Sequence, residues 1–252
     1  MYHQVLPKSD PAFNKHIAVS PEILREHVTT LLQEGWKIMT LEDYFAHPVG
    51  SRPAKVAMLT FDDVCSSFKD HGAPVLKELG VRANIYPIKN MTFGDPFHNL
   101  KNDGIRGLTE AELRELYDDG YELGSHGLSH QSYHKMKFIE AKYEIIESKR
   151  WLESITKKEV QTICYPIGGI NKDIVEVAKE AGYKIGITTF KGSLQLKDDI
   201  MVLRRVDIKH FIVGDKFKKA IGPFYGLRRF LTRPIRKKYQ VSHRHPDLIA
   251  KN

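Results

Sequence analysis

The chain has 252 residues, of which 41% are hydrophobic and 28% are charged. These are the proportions of an ordinary globular protein, and the length suits one α/β domain with a sizeable core. Two cysteines cannot build a disulfide framework, and no apolar run is long enough to cross a bilayer. The composition therefore excludes a disulfide-stapled scaffold and a membrane-spanning protein. The first residues lack a basic start followed by an apolar stretch, so a complete chain is expected in the cytoplasm, although an upstream signal or anchor could also have been removed.

The net charge of +8 is concentrated at the C-terminal end. Residues 216–252 hold eleven lysines and arginines and one acid, which gives +10 there and −2 for the rest of the chain. We therefore predict a nearly neutral domain over 1–215 and a basic extension over 216–252. The extension mixes aromatic residues with arginines, which suits an anionic membrane surface, and it suits equally well a solvated tail whose rings pack back on the domain. Nucleic acid is not expected as a partner, because no motif supports it.

Helix and strand patterns alternate along the first 215 residues. Ser20-Pro21-Glu22 provides an N-cap, a proline at the first helical position and an early acid, so a helix is predicted to begin there and to end before Gly35. The predicted helices cover 21–34, 41–46, 68–79, 109–119, 137–154 and 172–181. The predicted strands cover 1–5, 36–40, 56–61, 83–87, 160–165, 184–189 and 202–208, with a shorter strand-like run from Tyr121. Such alternation predicts a sheet or barrel of parallel strands.

Two further stretches have predicted roles. The segment 7–20 is a polar loop, and 90–107 is a long loop of mixed polarity that could act as a lid and set substrate specificity. In the helix over 137–154, apolar residues at helical spacing predict the packed face. Those residues, with one just beyond the predicted end, are Ile139, Tyr143, Ile146, Trp151 and Ile155.

Two adjacent acids, Asp62 and Asp63, end the apolar run that begins at Ala57. The run predicts a buried strand, and α/β enzymes place their chemistry at the C-terminal ends of such strands. The chain turns at a strand end, so both carboxylates can face one cavity. Two crowded carboxylates repel each other, and a divalent metal ion is the usual neutralising partner.

Two histidines follow the strand-like run at Tyr121. His126 and His130 are four residues apart, which on a helical turn places both imidazoles on one face. One carboxylate oxygen and two imidazole nitrogens form a common ligand set for zinc, with open positions for water and substrate. Cobalt, nickel and manganese fit the same donors.

The motifs Thr60-Phe61-Asp62-Asp63 and Ser125-His126-Gly127-Leu128-Ser129-His130, followed by Cys164-Tyr165-Pro166-Ile167-Gly168-Gly169, resemble those of the polysaccharide deacetylases, carbohydrate esterase family 4. The resemblance covers roughly residues 1–210, and the opening Met1-Tyr2-His3 is similar to the branch that acts on biofilm exopolysaccharides. It implies an α/β fold, a distorted and incomplete (β/α) barrel around parallel strands.

The resemblance also implies roles for individual residues. Asp63, His126 and His130 would bind the metal, and Asp62 would be the general base that takes a proton from the attacking water. A backbone N–H in the segment Tyr165, Pro166 and Ile167 would stabilise the oxyanion. The implied reaction removes an N-acetyl group and releases acetate and an amine.

The sequence departs from the family pattern in two places. The final motif is reduced to the stretch from Arg205 to His210, so the general acid is either His210 or His3, which lies at the end of the first strand. Each is also compatible with a purely structural histidine. Where many members have an arginine that orients the base, this chain has Cys164, and Arg205 is the candidate replacement; it could also be an ordinary surface charge.

The sequence therefore predicts a metal-dependent N-deacetylase acting on a glycan that contains N-acetylhexosamine, free or lipid-linked. Two alternatives remain open. One is a deformylase or cyclic-amide hydrolase with the same metal site, and the other is a glycan- or membrane-binding module without activity.

Overall fold

The computed structural model of the chain describes residues 1–91, 105–193 and 199–222. In these residues short parallel strands alternate with helices. The strands are β1 Gln4–Val5, β2 Ala18–Val19, β3 Lys37–Ile38, β4 Val56–Ala57, β5 Thr60–Asp62, β6 Asn84–Tyr86, β7 Glu122–Leu123, β8 Thr162–Cys164, β9 Ile185–Lys191 and β10 Leu203–Arg205. The helices are α1 Pro21–Gln33, α2 Leu41–Ala46, α3 Ala73–Glu78, α4 Glu110–Asp118, α5 Phe138–Thr156, α6 Lys172–Glu180 and α7 Asp215–Ile221.

The strands follow one another as neighbours through short ladders and single bridges. One ladder joins β1 to β2. Further ladders join β5 to β6 and β6 to β7, and β8 to β9 and β9 to β10. The bridge from Tyr2 to Phe61 links β1 to β5, and the bridge from Ser125 to Ile163 links β7 to β8. The strand order is therefore β2-β1-β5-β6-β7-β8-β9-β10, with β3 and β4 as a separate pair. This confirms the predicted α/β fold with parallel strands, although within the described residues no ladder closes the arc into a barrel.

The strands are covered by apolar side chains on both faces. Ile85 and Ile163 belong to the larger cluster, which includes residues of the surrounding helices. The residues that follow them, Tyr86 and Cys164, belong to a smaller cluster on the opposite, inner face. Asp62 pairs in register with Tyr86, so the Asp62 side chain lies on the inner face at the C-terminal end of β5.

Helix boundaries agree with the caps read from the sequence. Ser20 caps α1 through its hydroxyl, which accepts a hydrogen bond from the Ile23 N–H, and Gly35 follows the helix at φ 77°. Thr109 and Glu112 form a capping box at the start of α4. Local side-chain chemistry fixed these ends, so the sequence was sufficient to place them.

Three predictions of local structure were wrong. The polar loop over 7–20 contains β2, and the apolar run over 56–61 is divided into β4 and β5, which pair with different strands. In α5 the predicted packed face is partly exposed, since Ile139 and Tyr143 are 70% and 61% exposed. The helix instead packs through residues that include a buried acid: Ala141, Glu144, Ile145, Ser148, Lys149, Trp151, Leu152, Ile155 and Thr156.

Helix α7 crosses the boundary predicted at residue 216. Its Phe217 is buried and stacks on His27 of α1, with ring centroids 4.1 Å apart. The beginning of the basic extension is therefore packed on the domain. The rest of the extension from residue 223, and most of the predicted lid over 90–107, lie outside the described residues. Among the helices that are described, none has the length and apolarity to cross a membrane.

His27 is a buried histidine that ties three parts of the fold together. The Tyr2 hydroxyl lies 3.2 Å from its Nδ1, and the Ile212 carbonyl lies 2.7 Å from its Nε2. A carbonyl only accepts hydrogen bonds, so Nε2 carries the proton and Nδ1 accepts from Tyr2. Burial lowers the pKa of His27 to about 4.

We expect acid to destabilise the fold through His27. The unfolded chain gains a proton on this side chain below pH 6.5, and the folded chain gains it only near pH 4, so stability is complete above pH 6.5 and falls as the pH decreases to 4. The full loss is on the order of 3 kcal/mol. Urea unfolding at pH 7 and pH 5 should show a smaller loss for His27→Gln than for the wild type, while the exposed His16→Gln should behave as the wild type. Equal losses in all three proteins would contradict this role.

Candidate functional site

Three side chains from two distant segments meet at the C-terminal ends of β5 and β7. The Oδ1 atom of Asp63 lies 3.4 Å from Nε2 of His126 and 3.3 Å from Nε2 of His130. All three atoms lie within 4.8 Å of one another. His126 is buried, whereas Asp63 and His130 are about one quarter exposed. The cluster is therefore enclosed on one side and open to solvent on the other.

The backbone around these residues adopts unusual angles. Asp63 has φ 54° and His130 has φ 61°, in the left-handed region that non-glycine residues seldom occupy. Gly127, between the histidines, has φ 80°, and a Cβ there would lie 2.7 Å from the Tyr133 hydroxyl. The turns that aim the ligating atoms at one point are therefore held by surrounding contacts.

The two imidazoles present lone pairs to the shared point. Nδ1 of His126 lies 2.7 Å from the Cys164 carbonyl, which can only accept, so Nδ1 carries a proton and the neutral ring offers the lone pair of Nε2. Burial, and then the neighbouring His126, lower the pKa of His130. A neutral His130 is accordingly the form present at pH 7.

The arrangement fits a divalent cation. Bonds of about 2.1 Å in a tetrahedral site place neighbouring ligand atoms about 3.4 Å apart, close to the separations between Asp63 and the two histidines. Oδ1 of Asp63 is buried and has no hydrogen-bond partner in the described structure. Burial would raise the pKa of Asp63, but the neighbouring His126 and His130 outweigh it and hold that pKa below its ordinary value. An ionised oxygen between two nitrogen lone pairs is a site that one cation satisfies.

Asp62, the residue before Asp63, is paired with Arg205. Its two oxygens accept hydrogen bonds of 2.6 Å each from the two terminal nitrogens of the guanidinium, and both side chains are almost fully buried. Burial favours the neutral carboxyl, but the Arg205 charge and hydrogen bonds outweigh burial and lower the pKa of Asp62. Asp62 is therefore ionised at neutral pH. Arg205 also contacts Thr60 and the Cys164 sulfur, so the fully buried group of Asp62, His126 and Cys164 is already neutralised by a guanidinium.

The two candidate general acids occupy different surroundings. His3 lies beside β5, since the neighbouring Tyr2 carbonyl accepts a hydrogen bond of 3.0 Å from the Asp62 N–H. Burial lowers the pKa of His3, and the charges of Asp62 and Asp63 oppose this shift without cancelling it. His210 instead packs edge-on against Phe13 at 5.0 Å, and no contact within the described structure joins it to the cluster. Geometry favours His3 as the acid.

Of the three residues predicted to donate an N–H to the oxyanion, only one remains a candidate. The Tyr165 N–H donates to the Ile187 carbonyl at 3.0 Å, and its side chain is buried, so Tyr165 cannot contact substrate as predicted. Pro166 has no N–H. Ile167 is 64% exposed and has φ 56°, an outlier for a β-branched residue. The backbone at Ile167 is the remaining donor candidate.

One residue at the site was missed by sequence reasoning. Glu144 on α5 is 6% exposed, and its Oε2 accepts hydrogen bonds from the N–H groups of Leu128 and Ser129, between the two histidines. An acid at helical spacing with Ala141 and Ser148 was the available signal. It was overlooked because the packed face of α5 was assigned from the larger apolar side chains.

Comparisons with known proteins find similar sequences and similar folds. The profile of the family described as polysaccharide deacetylase matches residues 49–186. A Bacillus subtilis (strain 168) protein named as a polysaccharide deacetylase, YxkH, is 24% identical over 219 residues, covering 86% of this chain and 73% of that protein. The poly-beta-1,6-N-acetyl-D-glucosamine N-deacetylase of Staphylococcus aureus (strain MSSA476) is 28% identical over 184 residues. That match covers 69% of this chain and 62% of the staphylococcal protein.

Among solved structures, the Streptococcus pyogenes deacetylase PplD in complex with acetate is similar with a TM-score of 0.77 and 24% identity. The match covers 88% of this chain and 96% of that chain. At this identity the likeness concerns the fold.

Removing one ligand should remove metal binding. We expect Asp63→Ala to weaken binding of Zn²⁺ or Co²⁺ by at least about 100-fold, because the site loses its only charged donor. Titration of the metal-free protein against a chromophoric chelator measures the affinity. The exposed Asp70→Asn serves as control and should bind as the wild type does. Unchanged affinity in Asp63→Ala would place the cation elsewhere.

Proposed function

The chain belongs to the polysaccharide deacetylase family, and from that premise we propose that it is a metal-dependent hydrolase that removes N-acetyl groups from a glycan containing N-acetylhexosamine. The observation that supports this best is the pairing of two sites. A three-donor cluster of Asp63, His126 and His130 lies directly beside an ionised carboxylate, Asp62, that is held by Arg205. A hydrolase of this kind needs an electrophilic cation and a general base next to each other.

The metal would supply Lewis acidity and would lower the pKa of a bound water to about 7, and zinc suits the donor set best. Asp63, His126 and His130 would hold it. Asp62 would accept the proton of the attacking water, and Arg205 would keep the carboxylate oriented and ionised until it takes that proton. Since the pKa of Asp62 is low, Asp62 is always in its basic form at neutral pH, although it is a weak base.

The remaining steps fall to groups at the rim. The Ile167 N–H would donate to the oxyanion that forms on the acetyl carbonyl. His3, which lies near Asp62 and Asp63, would donate a proton to the leaving amine from its protonated form, a minor form at pH 7 and a correspondingly strong acid. The products are acetate and a glycan with a free amino group.

The substrate class follows from the relatives. The staphylococcal relative is named for poly-beta-1,6-N-acetyl-D-glucosamine, so oligomers of that sugar are the first substrates to test. A lipid-linked saccharide is a second form of the same substrate. Attachment of residues 216–252 to an anionic membrane, and a cytoplasmic location, stay predictions.

Replacing the base tests the proposal directly. We expect Asp62→Asn to lower acetate release from β-1,6-linked N-acetylglucosamine oligomers by about 10²- to 10⁴-fold, because a proton acceptor is lost. Metal affinity should be retained, since Asp62 is not a ligand. Acetate is measured enzymatically and free amine with an amine-reactive dye. Full activity in this variant, or in protein stripped of metal, would refute the assignment.

Arg205 should set the acid limit of activity. In Arg205→Gln, burial is no longer offset by the guanidinium, so the pKa of Asp62 rises. Activity requires ionised Asp62 and is lost as the pH falls through that pKa, so the acid limb should move upward by about one pH unit or more. The matched control is Arg204→Gln at the exposed neighbouring position, which should leave the acid limb where it is in the wild type. An unmoved limb in Arg205→Gln would show that Arg205 does not control the base.

A further inference from the structure

The two histidines of the cluster are joined by three residues whose peptide groups are held from several sides. The Gly127 N–H donates to the Ser125 hydroxyl at 3.1 Å. The Gly127 and Leu128 carbonyls accept from the N–H groups of Lys89 at 3.4 Å and Asn90 at 2.9 Å. These contacts fix one edge of the segment. They come from Ser125, just before the segment, and from Lys89 and Asn90, which follow β6.

On the other edge of the segment, two N–H groups donate hydrogen bonds to one carboxylate oxygen. Oε2 of Glu144 accepts the N–H of Leu128 at 2.7 Å and the N–H of Ser129 at 3.1 Å. A carboxylate that accepts two N–H groups in a buried setting forms strong hydrogen bonds. Glu144 lies at the end of the second turn of α5, a 19-residue helix packed on the domain, so the helix fixes its position.

The approach is close enough to restrict the sequence of the segment. A Cβ at residue 127 would lie 3.1 Å from Oε2 of Glu144 as well as 2.7 Å from the Tyr133 hydroxyl. The chain then reaches His130, which has φ 61° without being glycine. A left-handed turn at this residue persists only where the neighbouring peptides are fixed, and the two N–H groups before His130 are those that Glu144 holds.

We propose that Glu144 is a positioning residue that sets the separation of the His126 and His130 nitrogens and thereby the affinity of the site for its cation. The proposal rests on the proposed function only for the consequence on turnover; its primary effect is on metal binding. Without the carboxylate, two buried N–H groups lose their acceptor and the segment relaxes. His130 then leaves the geometry in which its Nε2 faces Asp63.

Three substitutions separate geometry from charge. Glu144→Gln keeps a carbonyl oxygen that can accept both N–H groups, whereas Glu144→Asp keeps the charge and withdraws the oxygen by one methylene. Glu144→Ala removes the acceptor. We expect the Kd for Zn²⁺ or Co²⁺ to rise about 10- to 100-fold in Glu144→Ala and Glu144→Asp and to change little in Glu144→Gln.

The matched control is Ile145→Val at the adjacent buried position on the same helix, an apolar side chain that accepts no hydrogen bond from the segment. It should lower thermal stability and leave the Kd unchanged. In Co²⁺-loaded protein, the visible absorption bands should shift in Glu144→Asp and remain as in the wild type in Ile145→Val. Should Glu144→Ala fail to fold, the pair Glu144→Asp and Glu144→Gln decides alone.

The proposal is overturned when Glu144→Asp binds the metal as tightly as the wild type, or when Ile145→Val weakens binding as much as Glu144→Asp does. Either result would reduce Glu144 to a structural hydrogen bond. A wild type that binds metal but releases no acetate would refute the proposed function and leave this inference standing.

Discussion

A guanidinium with two hydrogen bonds of 2.6 Å to one buried carboxylate is the contact on which the site depends. Arg205 lies on β10, the last strand of the described order, and Asp62 lies on β5, the third strand from the other end, so the pair connects strands that share no ladder. A cavity of about 180 Å³, mostly apolar in lining, lies along the same seam and includes Thr60 and Arg205 in its wall. Removing one member of a buried pair typically destabilises by about 3–5 kcal/mol, because the other charge is left without compensation. The pair is therefore a structural link between β5 and β10, and it keeps the carboxylate of Asp62, the proposed base, ionised.

Backbone strain is concentrated where the chemistry would occur. In the part of the chain that the structure describes, four non-glycine residues have positive φ, and three of them belong to the site: Asp63, His130 and Ile167. The fourth, Lys157, ends α5, where a left-handed residue is ordinary. Each strained residue costs about 1–3 kcal/mol and persists only when its surroundings over-determine it. Hydrogen bonds to the segment between the histidines, and the fixed strand ends, are the surroundings that do so here.

The sequence predicted the parts of the structure that depend on local chemistry. Caps at Ser20 and Thr109 fixed helix starts, and motif spacing located the acid and histidine segments. The features that the sequence did not predict depend on tertiary packing and strand pairing. The face of α5 was misassigned because Ile139 and Tyr143 are larger than Ala141 and Ser148, and size says nothing about which side the strands occupy. The involvement of the Tyr165 N–H with β9 was equally invisible, because pairing between β8 and β9 decides it. Arg205 could be suggested only as a replacement for a missing arginine, and the structure shows where its charge is used.

Two adjacent carboxylates would compete for one cation if both faced it. In this structure Asp62 is paired with Arg205, and Asp63 faces the two histidines. Asp62 ends β5 on the inner face and is 2% exposed, where a covalently tethered guanidinium neutralises it. Asp63 turns out of the strand at φ 54° and reaches the histidines with a quarter of its side chain exposed. Because Arg205 already satisfies Asp62, a bound metal gains little by drawing that carboxylate into its own shell. In the proposed function Asp62 would thus stay beside the metal as a base, and Asp63 alone would serve as the anionic ligand. The two adjacent aspartates differ in chemistry because their counter-charges differ. Arg205, part of the fold, neutralises Asp62, whereas the cation proposed for Asp63 must be bound from solution.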